Sequence, residues 1–87
     1  MYALAPDISA VDTDYGIALL HHARGQYWNL NPSGAIVLRS ALESDDLGRA
    51  VEALMSEYDV ARPTAEKDVG DVVGGLLAAG ILVEAGP

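Results

Sequence analysis

The spacing of apolar side chains changes once along this chain. Residues 15 to 22 hold a dense apolar run of Tyr15, Ile17, Ala18, Leu19 and Leu20, which predicts a strand, with Gly16 marking a bend or bulge. Ala23, Arg24 and Gly25 make a turn in which Gly25 is free to take positive φ. Gln26–Leu30 is then the partner strand, since Tyr27 and Trp28 favour extended backbone. A period of two puts Trp28 and Leu30 on one face and Tyr27 and Asn29 on the other. Upstream, residues 11 to 13 suit a short strand. Residues 1 to 8, with Pro6 and no clean period, read as a lead-in or a weak edge strand. A small meander of two or three strands results.

Beyond residue 31 the period becomes 3.6. Asn31 suits the cap of a first helix and Pro32 its first position. Ala35, Leu38 and Leu42 line its apolar face, widened by Ile36 and Val37, while Gly34 and Ala35 allow close approach of a neighbour. A second helix starts at Asp45 or Asp46 and carries the stripe Leu47, Val51, Leu54 and Tyr58, leaving Arg49 and Glu52 in solvent. Residues 59 to 63 connect, with Val60 plugging the core. Thr64 is the expected cap of a third helix, with Glu66 in its first turn and Val69, Val72, Val73 and Leu76 buried. Gly80 stops that helix, and Ile81, Leu82 and Val83 either add a last strand or dock. The pattern is that of one small α+β domain over residues 1–87, with a core spanning about 11 to 83.

Composition narrows the chemistry. With 5 Lys and Arg against 13 Asp and Glu, the net charge is −8, which repels nucleic-acid phosphates and anionic membrane surfaces. Residues 1 to 42 hold three carboxylates against two cations, and residues 43 to 87 hold ten against three, so the C-terminal half carries the field. That field suits either solubility or the docking of a basic partner. Cysteine is absent, which removes disulfides, thiol nucleophiles and thiolate zinc sites and fits a reducing compartment. No signal-peptide pattern opens the chain, so the cytoplasm is the expected setting.

Candidate catalytic sites fail one by one. His21 and His22 are adjacent and point to opposite faces of a strand, one exposed and one half-buried, so they do not share a metal. Asp12 and Asp14 share a strand face but lack a third ligand at useful spacing. None of the serines sits in a strand-turn elbow, and the expectation is no enzyme, no metal and no cofactor. Gly70, Gly74 and Gly75 fall inside a helical pattern, where each costs about 1 kcal/mol relative to Ala. They serve either close packing of the helix or a bare shelf on which another chain lies, with Asp68 and Asp71 making the shelf beside Gly75 acidic. The strand Gln26–Leu30, if at a sheet edge, offers backbone groups to an added strand.

The run Tyr27-Trp28-Asn29-Leu30-Asn31-Pro32-Ser33-Gly34-Ala35 resembles the Leu-Asn-x-x-Gly signature of the PqqD-like family. Tyr58-Asp59-Val60, Asp68-Val69, Leu76-Leu77 and Gly80-Ile81-Leu82 extend the likeness over residues 15 to 83. The resemblance implies a winged helix-turn-helix-like fold, a three-stranded antiparallel sheet followed by three helices. It implies a recognition element for ribosomally made, modified peptides, in which a precursor's leader adds as a strand and lies against the third helix. Carried onto this chain, the peptide-binding residues are Gln26, Tyr27, Trp28, Asn29 and Leu30 on the strand. On the helix they are Lys67, Asp68, Asp71, Val72, Gly75 and Leu76. A free-standing domain of this length is most similar to the recognition proteins of lasso peptide pathways. These present the leader to a separate cysteine-type peptidase and work beside an ATP-dependent macrocyclase. The family also contains a branch that carries a precursor peptide to a radical enzyme in cofactor biosynthesis. Two other classes compete outside it: a winged-helix nucleic-acid binder, opposed by the acidic helices, and an acyl or peptidyl carrier, opposed by the strand-rich N-terminal third. A generic winged-helix protein-interaction module is the remaining alternative.

Overall fold

The structure, a computed structural model, describes residues 2–44 and 46–85. Five strands and three helices follow in the order β1 (Tyr2–Leu4), β2 (Ile8–Thr13), β3 (Gly16–His21), β4 (Gln26–Leu30), α1 (Pro32–Glu43), α2 (Gly48–Tyr58), α3 (Arg62–Ala78) and β5 (Leu82–Glu84). Strands β2, β3 and β4 form an antiparallel meander in that order, and β1 pairs with β5 in a separate two-stranded ribbon. The three-stranded sheet and three helices are those expected. The ribbon is an addition: the supposed lead-in contains β1 and the start of β2, and the apolar tail is a strand. Pro6, which has no N–H to donate, separates β1 from β2, and the Ile8 N–H donates to the Ala5 carbonyl in a tight turn (3.0 Å).

Alternation sets the sheet's two faces. Ile17 faces Leu30 and Leu19 faces Trp28 across β3 and β4, and this row turns toward the helices. Leu19 is fully buried, while Trp28 and Leu30 are half-buried against the same core. Gly16 is required where β3 begins. Its φ is +143°, and a Cβ there would overlap the Leu30 carbonyl oxygen. Asp14 lies in the β2–β3 turn rather than on β2, so it does not share a strand face with Asp12. Asp12 instead pairs with Arg39 of α1 at 2.8 Å.

Helix α1 divides the core. Ala35 and Leu38 join Ile8, Ile17, Leu19, Leu76, Ile81 and Leu82 under the sheet, whereas Val37 joins Ala50, Val51, Leu54, Ala65, Val69 and Val73 among the helices. Each fully buried Leu, Ile or Val contributes about 1.5–3 kcal/mol. No polar or charged side chain is buried among the described residues.

The caps explain the helix boundaries. Asn31 Oδ1 accepts from the Gly34 N–H at 2.8 Å, with Pro32 at the first helical position. Asp46 Oδ1 accepts from the Gly48 N–H at 2.9 Å, just ahead of α2, while Asp45 lies outside the described residues. Helix α3 starts earlier than expected. Ala61 is its cap and Pro63 falls in its first two positions, so Thr64 is inside the helix and caps nothing. Proline's fixed φ outweighs the threonine signal because the first turn needs no N–H from it. Glu66 accordingly sits beyond the first turn. At the other end Gly80 takes φ +75°, the Gly80 N–H donates to Leu77 and the Ile81 N–H to Leu76, so the helix ends in a Schellman motif.

Candidate peptide-binding edge

Strand β4 is an edge of the meander. Which of its peptide groups are free follows from the ladder. The His22 N–H donates to the Asp7 carbonyl, so these two residues, one step beyond the Ile8–His21 pair, form a hydrogen-bonded pair. Bonds alternate along an antiparallel ladder, so β3 turns its even-numbered peptide groups toward β2 and its odd-numbered ones, Ile17, Leu19 and His21, toward β4. Their partners Leu30, Trp28 and Gln26 are thereby paired. Tyr27 and Asn29 direct N–H and C=O outward, giving two donors and two acceptors on the open edge.

The side chains at this edge divide by face. On the core-facing side Trp28 and Leu30 are partly withdrawn and Gln26, at the start of the strand, is exposed; on the other side Tyr27 and Asn29 are exposed, Tyr27 at 68%. Two recesses flank the strand. One of about 400 Å³ is lined by Gly25, Gln26, Tyr27 and Trp28. The other, of about 560 Å³, is lined by Thr13, Tyr15, Asn29, Leu30, Asn31 and Pro32.

Helix α3 supplies the candidate wall. Asp68, Asp71, Val72 and Gly75 recur at three- and four-residue steps and share one flank. Asp68 lines a small recess of about 210 Å³ with Ser33 at the start of α1, directly after β4, and with Leu54, Tyr58 and Val60. Val72 is half-buried and touches both parts of the core. Leu76 is buried at 6% exposure, so its side chain serves the core and lies beneath the wall. A Cβ at Gly70, Gly74 or Gly75 would meet nothing within 4 Å. The helix glycines are therefore not there for close internal packing. Lys67 Nζ is 2.8 Å from Asp71 Oδ2, and both are exposed. The hydrogen bond and charge of Asp71 raise the Lys67 pKa above its ordinary value. Asp71 is thus already engaged, whereas Asp68 makes no ion pair among the described residues.

Tyr15 lines a recess beside the edge, and Ser33 and Tyr58 line the one that holds Asp68; none of the three was a candidate site residue in sequence, since each comes from a different segment brought to its recess only by the fold. The one available signal was Tyr15 as an aromatic residue beside the turn glycine Gly16. His22 Nε2 lies 2.6 Å from Ser9 Oγ, and the His21 ring nitrogen accepts from the Arg24 N–H, so the two histidines face different partners. Among the described residues no cluster of His, Asp and Glu is arranged to hold a metal ion.

A family model described as coenzyme PQQ synthesis protein D (PqqD) matches residues 16–82. The chain belongs to the PqqD family. The match starts at β3 and ends in β5, so the ribbon's first strand and β2 lie outside it. Two solved structures share the PqqD-type fold over nearly the whole chain. A lasso peptide synthetase B1 complexed with the leader peptide is 35% identical, with a TM-score of 0.86, over 95% of this chain and 98% of that one. TbiB1 in complex with the TbiA(beta) leader peptide is 27% identical, with a TM-score of 0.79, over 97% and 98%. No curated protein sequence matches the chain.

Proposed function

We propose that this PqqD-family chain is a non-catalytic recognition protein of lasso peptide biosynthesis. It binds the leader of a ribosomally made precursor as a strand added to β4 and lying against α3. It then presents that peptide, in the cytoplasm, to a separate cysteine-type leader peptidase beside an ATP-dependent macrocyclase. The observation that carries the reading is the open β4 edge with its outward peptide groups, in a fold shared with two proteins solved with leader peptides.

The energetics require more than backbone pairing. Four hydrogen bonds at about 0.5–1.5 kcal/mol net supply about 2–6 kcal/mol. A micromolar complex needs about 8 kcal/mol after association costs. Peptide side chains seated in the recesses beside Trp28 and Leu30 and against Val72 supply the rest. The partner strand runs antiparallel, so its N-terminal end lies near Leu30 and its C-terminal end near Gln26. Asp68 stands at the rim, where a basic leader residue gains association rate more than affinity.

Separate titrations with labelled leader and core segments of the precursor test this reading. The leader is expected to bind and the core to bind far more weakly. Equal affinities, or no binding of the leader, would overturn it.

A further inference from the structure

The two ends of the β4 edge carry opposite charge. At the Gln26 end, the β3–β4 turn over residues 22–25 exposes Arg24 and holds no carboxylate. Arg39, Arg62 and Lys67 each pair with an acid of this chain, whereas Arg24 makes no ion pair among the described residues. Two bonds to His21 fix the turn: the Arg24 N–H donates to its ring nitrogen and the Gly25 N–H to its carbonyl. Arg24 stands two residues before Gln26, so its Cα lies within about 7 Å of the strand. Beside it the recess of about 400 Å³ opens over Gly25, Gln26, Tyr27 and Trp28, and a Cβ at Gly25 would meet nothing within 4 Å. At the Leu30 end the sign reverses. Asp14 and Glu57 line one recess with Arg39, which Asp12 neutralises, and Asp68 shares another with Ser33, three residues beyond Leu30.

We infer that Arg24 is a specificity-determining residue of the peptide site: it receives a carboxylate side chain of the leader where the added strand leaves β4, and with the acidic opposite end it fixes the strand's direction. The inference rests on the proposed function and deepens it by naming the leader's charge pattern, basic before the paired segment and acidic after it. Backbone groups alone choose direction weakly. The outward N–H and C=O groups of Tyr27 and Asn29 can be met by an antiparallel or a parallel strand, and the two pairings differ only slightly per residue. An antiparallel strand sends its C-terminal residues past Gln26 to the turn. Reversed, the same peptide would bring its acidic end to Asp14, Glu57 and Asp68 and its basic end to Arg24, so like charges would meet at both ends. The guanidinium suits the role because its paired N–H donors match the two oxygens of a carboxylate. Asp7 does not compete. Its backbone pairs with His22 on the β2 side, three strand spacings or about 14 Å from an added strand, beyond the screening length of about 8 Å at 0.15 M salt. Because Arg24 is exposed, the pair governs association rate and the choice of leader more than total affinity.

The test is a double-mutant cycle read as association rate by stopped-flow fluorescence, at low salt and again at about 1 M, where the screening length is about 3 Å. The probe is the labelled leader segment of the same pathway's precursor. Its variant carries Asn or Gln for each Asp or Glu in the few residues that follow the β4-paired segment. At low salt Arg24→Gln and the amide peptide are each expected to slow association about two- to fivefold, and together no further. Arg24→Lys should stay within about twofold of wild type, and Arg24→Glu should lose more than Arg24→Gln and recover with a peptide bearing Lys at those positions. All differences should fade at high salt. Additive losses, losses that survive high salt, an unchanged rate, or a leader with no carboxylate there would each overturn the inference. Direction is read separately: a nitroxide on the peptide's C-terminal end should broaden the amide signals of residues 23–26, and broadening at residues 13–16 instead would overturn it too. If wild type itself fails to bind the leader, the proposed function fails, a result distinct from these. Should an Arg24 variant melt early, the amide peptide against the unaltered protein decides by the same rate and salt criteria.

Discussion

Replacing Gly75 by Leu should strengthen the fold and weaken its function. Gly75 lies inside α3, is exposed, and has no atom within 4 Å of the place its Cβ would occupy. A mid-helix glycine costs about 0.8–1.0 kcal/mol relative to Ala, and Leu recovers most of that. For a domain of this length about 1 kcal/mol raises the melting temperature by about 4–8 °C. The same side chain rises from the flank shared by Asp68, Asp71 and Val72, where the added strand is placed. Lost fit there should weaken leader binding at least about tenfold, or about 1.4 kcal/mol. Gly74→Ala is the control. It lies about 100° around the helix from Gly75 and has equally open surroundings, so it should stabilise similarly and leave affinity alone. Thermal melts and leader titrations on the two variants decide the matter. A lower melting temperature for Gly75→Leu would mean that hidden packing had been broken. A higher one with unchanged affinity would remove α3 from the groove.

Hydrogen exchange should slow at the Tyr27 and Asn29 amides when leader is added and change little at Trp28, whose N–H is already paired; uniform protection across β4 would contradict the ladder's phase. Gly16→Ala should destabilise by about 1–3 kcal/mol in a denaturant titration, because a side chain at its positive φ overlaps the Leu30 carbonyl. Asn31→Ala should cost about 0.5–2 kcal/mol, and Thr64→Ala almost nothing, since only the former accepts a helix-end N–H. Asp68→Asn should lower the leader association rate at low salt, with the difference fading toward 1 M, where the screening length is about 3 Å; a salt-independent rise in dissociation rate would mean a buried pairing instead.

Local rules were enough for most of the architecture. The β3–β4 hairpin was legible because strand alternation and a turn glycine agreed, and α1 because Asn31 and Pro32 gave the same start. The start of α3 was not, since the adjacent Pro63 and Thr64 sent competing signals. The β1–β5 ribbon was hidden for another reason: three-residue strands carry too little period to recognise, and their pairing is set by residues at opposite ends of the chain. The site divides likewise. The strand Gln26–Leu30 and the acidic flank of α3 stand out in sequence, and the structure puts both on the accessible surface. Leu76 carries the same helical pattern as Val72, yet a shift of one turn takes it under the surface. The recess that gathers Ser33, Tyr58, Val60 and Asp68 comes from four separate segments, and no local pattern announces it.

The terminal ribbon has a bearing on the order in which the domain assembles. Its register sets Tyr2 opposite Glu84, whereas the meander joins neighbours in sequence. Closing a loop costs about 0.6 kcal/mol more for each doubling of its length. Between a hairpin turn of about five residues and a span of about eighty lie four doublings, or about 2.4 kcal/mol. The ribbon is therefore the last piece to zip, after the helices have already fixed α3 and, through the Schellman turn, aimed Ile81 at the core. Interactions formed after the rate-limiting step govern how fast a fold is lost rather than how fast it is made. Leu82, fully buried yet carried by this late strand, acts as a kinetic clasp: Leu82→Ala should leave the refolding rate nearly unchanged and speed unfolding, so that the chain's lifetime, more than its ability to fold, depends on its two ends meeting.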